Sequence, residues 1–158
     1  RTGRTPEQAA NARAASTAFA VLVVDIDRFK SINDRFGHAA GDAVLVEVAN
    51  RLRHGLRAGD LIARIGGEEF LIALPDIALP DARAIADRLC SLMQDHPFEM
   101  TKGALQPVTV SVGLAISAAG ETPSHVETVT DIFDRADRAL MDAKAQGRNQ
   151  VTVSRSAA

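Results

Sequence analysis

The sequence predicts an α+β domain with a ferredoxin-like β-α-β-β-α-β core, in which a mainly antiparallel sheet is flanked by helices. Three observations carry this. The chain has 158 residues, 46% of them hydrophobic, which is the size of one globular domain with a full core. Its apolar runs follow the order strand, helix, hairpin, helix, strand, helix. Finally, Gly66-Gly67 stands between two apolar stretches, where a glycine pair closes a hairpin.

Taken in order, the alanine-rich run Pro6–Ala15 predicts a short opening helix. Phe19 to Asp25 predicts the first strand. Asp27 is placed to cap a helix starting near Arg28, whereas Asp25 still sits in the apolar alternation and brings a carboxylate to the sheet edge without a capping duty. Beyond Gly41, with Asp42 near the cap, Val44, Val48, Leu52 and Leu56 recur at helical spacing. Leu61–Ile65 and Phe70–Leu74 form the hairpin. Pro80–Gln94 carries the stripe Ile85, Leu89 and Leu92 or Met93, with Asp81 in its first turn, and predicts a helix that covers the sheet. Val108–Ile116 alternates as a strand, Thr130–Ala145 has helical period until Gly147 stops it, and Val151–Val153 closes as a short edge strand.

Connection rules turn this order into geometry. A right-handed crossover makes the first two strands parallel, with the third between them running back. The hairpin turn then falls at the rim where the first strand exits, so Asp25 and Asp27 are expected to converge with Glu68 and Glu69. Like charges at that distance raise one another's pKa unless a cation compensates them. An all-oxygen ligand set favours Mg²⁺ or Mn²⁺, and Mg²⁺ commonly completes its octahedron with water and substrate phosphates, which points to nucleotide chemistry. Lys30, Lys144 and Arg148 are the cations available for phosphates; the alternative for the last two is to complement the dipole of a helix C-terminus.

Composition narrows the classes. A net charge of −2 and a pI near 6.1 argue against a nucleic-acid polymer or a membrane surface as partner. The chain has no Trp or Tyr for base stacking, and the apolar run Ala18–Val24 is too short to span a bilayer. The lone Cys90 lies in an apolar helical stripe and reads as buried, without redox duty. His38, His54, His96 and His125 show no ligand spacing and are assigned to surface or loops. The expectation is a single cytoplasmic domain over residues 1–158. Beginning at Arg1 with no initiator methionine, it reads as a piece of a larger protein, membrane-attached or not.

The motifs also resemble a known family, the GGDEF domain of diguanylate cyclases. Gly66-Gly67-Glu68-Glu69-Phe70 is similar to its signature in the GGEEF form. Asp25-Ile26-Asp27-Arg28-Phe29-Lys30-Ser31-Ile32-Asn33-Asp34, Phe36 to Asp42, Thr109 to Gly113, and Ala136 to Asn149 resemble its other blocks, so the likeness runs unbroken from about Phe19 to Val151. It implies a nucleotidyl cyclase-like fold and condensation of two GTP into cyclic di-GMP with release of two pyrophosphates. It also implies Mg²⁺ held by Asp25, the Ile26 carbonyl and Glu68, with Glu69 at the metal or in catalysis, and guanine read by Asn33 and Asp42. A carboxylate accepts from guanine N1–H and its exocyclic amine together, and adenine offers no such pair. Lys30, Lys144, Arg148 and the amides near Phe29 would meet the triphosphate. One chain has one guanine pocket, so catalysis calls for a two-fold homodimer.

The stretch Arg57-Ala58-Gly59-Asp60 resembles the family's inhibitory R-x-x-D site for cyclic di-GMP, with Arg88 as its second arginine; the plain alternative is a helix-ending cation and a loop acid. A strand of roughly 17 Å separates it from the turn. Two departures stand out. Thr2-Gly3-Arg4-Thr5-Pro6-Glu7 is a shortened copy of the family's opening segment, and Met141 stands where tyrosine is commoner, a change read as tolerance of the core. The competing functions are a weakly active or inactive module acting as a cyclic di-GMP receptor, and a purely structural dimerisation domain.

Overall fold

A computed structural model describes residues 18–100, 103–117 and 127–155. The helix expected over 6–15, the shortened opening segment and His125 lie outside the described residues. Five strands form the main sheet in the order β2-β3-β1-β6-β7. They are β1 (Ala20–Ile26), β2 (Leu61–Arg64), β3 (Glu69–Leu74), β6 (Val110–Ile116) and β7 (Val151–Val153). β1 pairs antiparallel with both β3 and β6, β2 pairs antiparallel with β3, and β7 adds in parallel at the outer edge. The expected ferredoxin-like core is present.

Four helices follow from the sequence: α1 (Phe29–Phe36), α2 (His38–Gly55), α3 (Leu79–Gln94) and α4 (Val129–Ala145). Every residue of β1 is buried because both faces of the sheet are covered. Leu22, Val24 and Ile26 point into the larger core with Val44, Val48 and Leu52 of α2 and Ile85, Leu89 and Met93 of α3. Val21 and Val23 point the other way, onto Ile132, Ala136 and Leu140 of α4. A strand covered on both sides reads as a continuous apolar run, which is what Ala20–Val24 shows. α4 lies directly on β6: a Cβ at Gly113 would stand 2.0 Å from the Ala136 carbonyl oxygen and 2.3 Å from the Leu140 nitrogen. That close seat brings the C-terminal end of α4, with Lys144, to the rim where β1 exits.

α2 and α3 are clamped together. Arg51 donates to the carbonyls of Leu92 (3.1 Å) and His96 (2.6 Å), and its guanidinium lies 3.8 Å from the centroid of the Phe98 ring. These contacts satisfy carbonyls at the end of α3 that the helix itself leaves unpaired.

The structure corrects the sequence reading in several places. α2 begins at His38, a turn before the expected start, after a left-handed break at Gly37 (φ 90°); Asp42 is therefore in its second turn and caps nothing. Leu56 is the extended residue that ends α2, outside the helix. Met141 is 59% exposed, so its substitution for tyrosine says nothing about the core. β4 (Phe98–Glu99) and β5 (Leu105–Gln106) form a separate small hairpin, too short for two-residue periodicity to reveal. Cys90 is buried, as expected, and burial pushes its thiol up to about 12. Among the described residues no helix is long and apolar enough to cross a membrane.

Candidate active site

The β2–β3 turn is fastened to the exit of β1. Asp25 stands opposite Glu69 in register, and the Ile26 amide donates to the Glu68 carbonyl (3.2 Å). The turn itself is closed by the Ile65 amide on the Glu69 carbonyl (3.0 Å) and by Arg64 Nε on the Gly66 carbonyl (3.1 Å). Residues distant in sequence thus meet at one rim of the sheet, as the connection rules require.

Electrostatics at this rim are strained. Asp25 is buried, and Lys144 Nζ reaches across from α4 to its Oδ2 at 2.7 Å. Burial, and then the Asp25 charge, push the Glu68 carboxyl above its ordinary range, with Lys144 pulling it back. Glu69 is also pushed up, first by burial, then by Asp25 and Asp137, with a side-chain hydrogen bond to Asp25 adding to the rise and Lys144 opposing it. One ammonium therefore serves several carboxylates, which leaves the cluster short of positive charge.

Asp27 is the exception among the expected acids. Its carboxylate accepts from Thr109 Oγ1 (2.7 Å), Ser111 Oγ (2.6 Å) and the Asn149 amide (2.9 Å). It is buried in that network, on the β6–β7 side of Asp25, and does not join Glu68 and Glu69. Nor does it cap α1, whose N-cap residue is the left-handed Arg28 (φ 55°) and which has no side-chain cap. The first amides of α1, from Phe29 on, are consequently available to an anion, as helix N-termini commonly are. Lys30 is exposed in this first turn.

The glycine that precedes Asp42 packs against Asn33. Gly41 lies beneath the Asn33 side chain so closely that a Cβ there would fall 1.7 Å from Asn33 Oδ1. Asn33 is half-buried on α1, and Asp42 is exposed on α2, next in the chain to Gly41. Arg148 is exposed, just beyond the end of α4, with a left-handed backbone (φ 66°).

The second cluster lies at the other end of β2. Arg57 Nη2 is 2.8 Å from Asp60 Oδ1 and 2.9 Å from the Pro75 carbonyl, and the Arg57 amide donates to Asp60 Oδ2 (2.7 Å). Arg88 donates from α3 to the Gly55 carbonyl at the end of α2. Arg57 and Asp60 thus share one turn, Arg88 reaches the end of α2 just before it, and each has a protein partner.

Four residues carried no role in the sequence reading: Asp137, whose charge helps push the Glu69 carboxyl up, and Thr109, Ser111 and Asn149, which bind Asp27. Ser111 left a signal. It is a fully buried hydroxyl in an otherwise apolar central strand, and such a group needs a partner.

Among the described residues no three His, Cys, Asp or Glu side chains form a metal cage on their own. The donor set at the rim nevertheless fits a hard divalent ion. It consists of oxygen ligands only and is under-compensated in charge, and Mg²⁺ is usually held by a few carboxylates with water and phosphate completing its shell.

Comparison with known proteins bears on the family and the fold. The sequence profile described as diguanylate cyclase, GGDEF domain, matches residues 3–150. The response regulator PleD of Caulobacter vibrioides is 46% identical over 132 residues, 82% of this chain and 28% of PleD. Among solved structures, the GGDEF domain of TpbB (YfiN) from Pseudomonas aeruginosa superposes with a TM-score of 0.80 at 39% identity, covering 92% of this chain and 88% of that one. The GGDEF domain of DgcB from Caulobacter crescentus, in complex with c-di-GMP, superposes with a TM-score of 0.79 at 31% identity, covering 94% and 82%. The chain spans only 19% to 36% of the length of curated relatives such as PleD. By profile, sequence identity and fold, it belongs to the GGDEF-domain family of diguanylate cyclases.

Proposed function

We propose that this domain condenses two GTP into cyclic di-GMP, releasing two pyrophosphates. The observation that carries the reading is the meeting of Asp25 with Glu68 and Glu69 at one rim, beside Lys144 and next to the uncapped start of α1. In this reading Asp25, the Ile26 carbonyl and Glu68 hold one Mg²⁺ or Mn²⁺. The chemistry such an ion supplies when bound is neutralisation of the charge that develops on the phosphoryl oxygens.

The chain's own groups do the rest. Lys30, Lys144, Arg148 and the amides from Phe29 bind and orient the triphosphate. Asn33 and Asp42 hold guanine, Asp42 accepting from its two adjacent donors and leaving adenine unmatched. Glu69, whose carboxyl stands above its ordinary range, is suited to take the proton of the attacking 3′-hydroxyl, because a base is most useful when its pKa approaches the working pH. Each 3′-oxygen bonds to the α-phosphorus of the other nucleotide as pyrophosphate leaves. Two loaded chains must face each other, so the active species is a homodimer. Product inhibition at Arg57, Asp60 and Arg88 belongs to the same reading: cyclic di-GMP phosphates would take the guanidinium donors that Pro75, Asp60 and Gly55 hold in this structure.

The test is incubation of the purified chain with GTP and Mg²⁺, followed by nucleotide chromatography. Cyclic di-GMP is expected, and is expected to disappear with Glu68→Ala. A chain that makes none but binds the dinucleotide, and loses that binding with Arg57→Ala, is a receptor instead.

A further inference from the structure

Asp27 has no place in the reaction just described, yet it is among the few buried acids of the described residues. Its three hydrogen bonds join three parts of the fold. Thr109 and Ser111 hold it to β6, and the Asn149 amide ties it to the loop that leaves α4.

That loop is conformationally unusual. Gly147 (φ 119°), Arg148 (φ 66°) and Asn149 (φ 48°) all have positive φ in succession. Glycine tolerates this freely, but residues with a Cβ do not, and two of them together persist only where the surroundings over-determine the backbone. One end of the loop is fixed by α4 itself, through the Arg148 amide on the Ala143 carbonyl (3.0 Å) and the Gly147 amide on the Lys144 carbonyl (3.4 Å), the bonding of a Schellman cap. The other end is fixed by Asp27 through the Asn149 main chain. The Asn149 side chain does not provide this anchor, since its Oδ1 is buried without a partner among the described residues.

We infer that Asp27 is a positioning residue for the triphosphate: it anchors the left-handed Arg148–Asn149 segment and so holds Arg148 at the rim where Lys144 meets Asp25. The inference rests on the reading above, in which Lys144 and Arg148 bind phosphates. Asp25 near the end of β1 and Asp27 just beyond it then divide the work. Asp25 belongs to the acid cluster, and Asp27 to the frame that holds the cations opposite it.

The experiment compares binding of GTP and of guanosine, with Ca²⁺ as the divalent ion to suppress turnover, in the wild-type domain and in Asp27→Asn. The amide loses the negative charge and one acceptor, so Ser111 must turn its hydroxyl to accept and the bonds from Thr109 and the Asn149 amide become weaker neutral ones. The loss expected is about tenfold in GTP affinity, corresponding to roughly 1.4 kcal/mol, with guanosine affinity unchanged because Asn33 and Asp42 are untouched. Equal losses for both ligands, or none for either, would overturn the inference. A wild-type domain that binds guanosine but gains nothing from the triphosphate would sink the underlying reading and this inference with it. Should Asp27→Asn not fold, hydrogen exchange on the wild-type domain reads the same anchor. The Asn149 amide is expected to exchange slowly before any nucleotide is added; exchange as fast as in an exposed loop would contradict it.

Discussion

The two ends of β2 are built in opposite ways. At one end Glu68 and Glu69 face the buried Asp25 with Lys144 as the nearby cation, and both glutamates are held above their ordinary range. At the other end the Asp60 side chain is 1% exposed and fully engaged by Arg57, while Arg57 also holds Pro75 and Arg88 holds Gly55. The first rim lacks charge that a ligand can bring; the second has already met its own needs. A ligand at the first relieves strain, whereas a ligand at the second must displace protein contacts. On the function proposed above, a metal-bound nucleotide would meet the under-compensated rim, and cyclic di-GMP at the other end would have to displace the contacts of Arg57 and Arg88.

Variants can separate the two ends. The largest effect is expected from Glu68→Gln, which should lower the rate of GTP condensation by about a hundredfold or more. The same change should stabilise the metal-free domain. A carboxyl whose folded pKa is raised favours folding below its unfolded pKa and loses that contribution as pH rises through the folded value. At neutral pH Glu68 therefore opposes folding, and its neutral replacement should raise the Tm by about one to two degrees. A fall in Tm would show that the rim is not strained. Next is Gly41→Ala, which pushes into Asn33 Oδ1. The KM for GTP should rise about tenfold while Mn²⁺ uptake at saturating GTP is kept.

Asp60→Ala tests the satisfied end. It removes the acceptor of the Arg57 amide and guanidinium, and should cost about 1 kcal/mol in denaturant unfolding, the opposite sign to Glu68→Gln. Arg88→Ala removes a single hydrogen bond to Gly55 and should cost about 0.5 kcal/mol, while raising the cyclic di-GMP concentration that halves the rate. If Asp60→Ala were stabilising, the contrast between the two ends would collapse.

Most of the fold was legible in the sequence because periodicity and turn chemistry agreed. Gly66-Gly67 sits between strands, Gly147 ends α4, and the apolar run of β1 announces a strand covered on both faces. Connection rules then placed Asp25 beside Glu69 without any coordinates. What escaped has physical reasons. The β4–β5 hairpin is too short to have a period. The start of α2 was misplaced because Gly37 breaks the chain through a positive φ, which composition alone does not mark. Asp27 was grouped with the catalytic acids because alternation along β1 gives the face of a residue and not its partners. Those partners, Thr109, Ser111 and Asn149, come from strands and loops more than eighty residues away. The roles of Arg57 and Arg88 read as ligand donors in sequence, while their carbonyl partners are main-chain groups that no side-chain pattern reveals.

The claim on which the account turns is that Asp25 and Glu68 share one hard cation with the nucleotide. Electron paramagnetic resonance of Mn²⁺ titrated into the domain with GTP measures it directly, by counting bound ions. The account predicts uptake of Mn²⁺ that depends on GTP and is lost in both Asp25→Asn and Glu68→Gln. Uptake that survives both substitutions at wild-type affinity would contradict it.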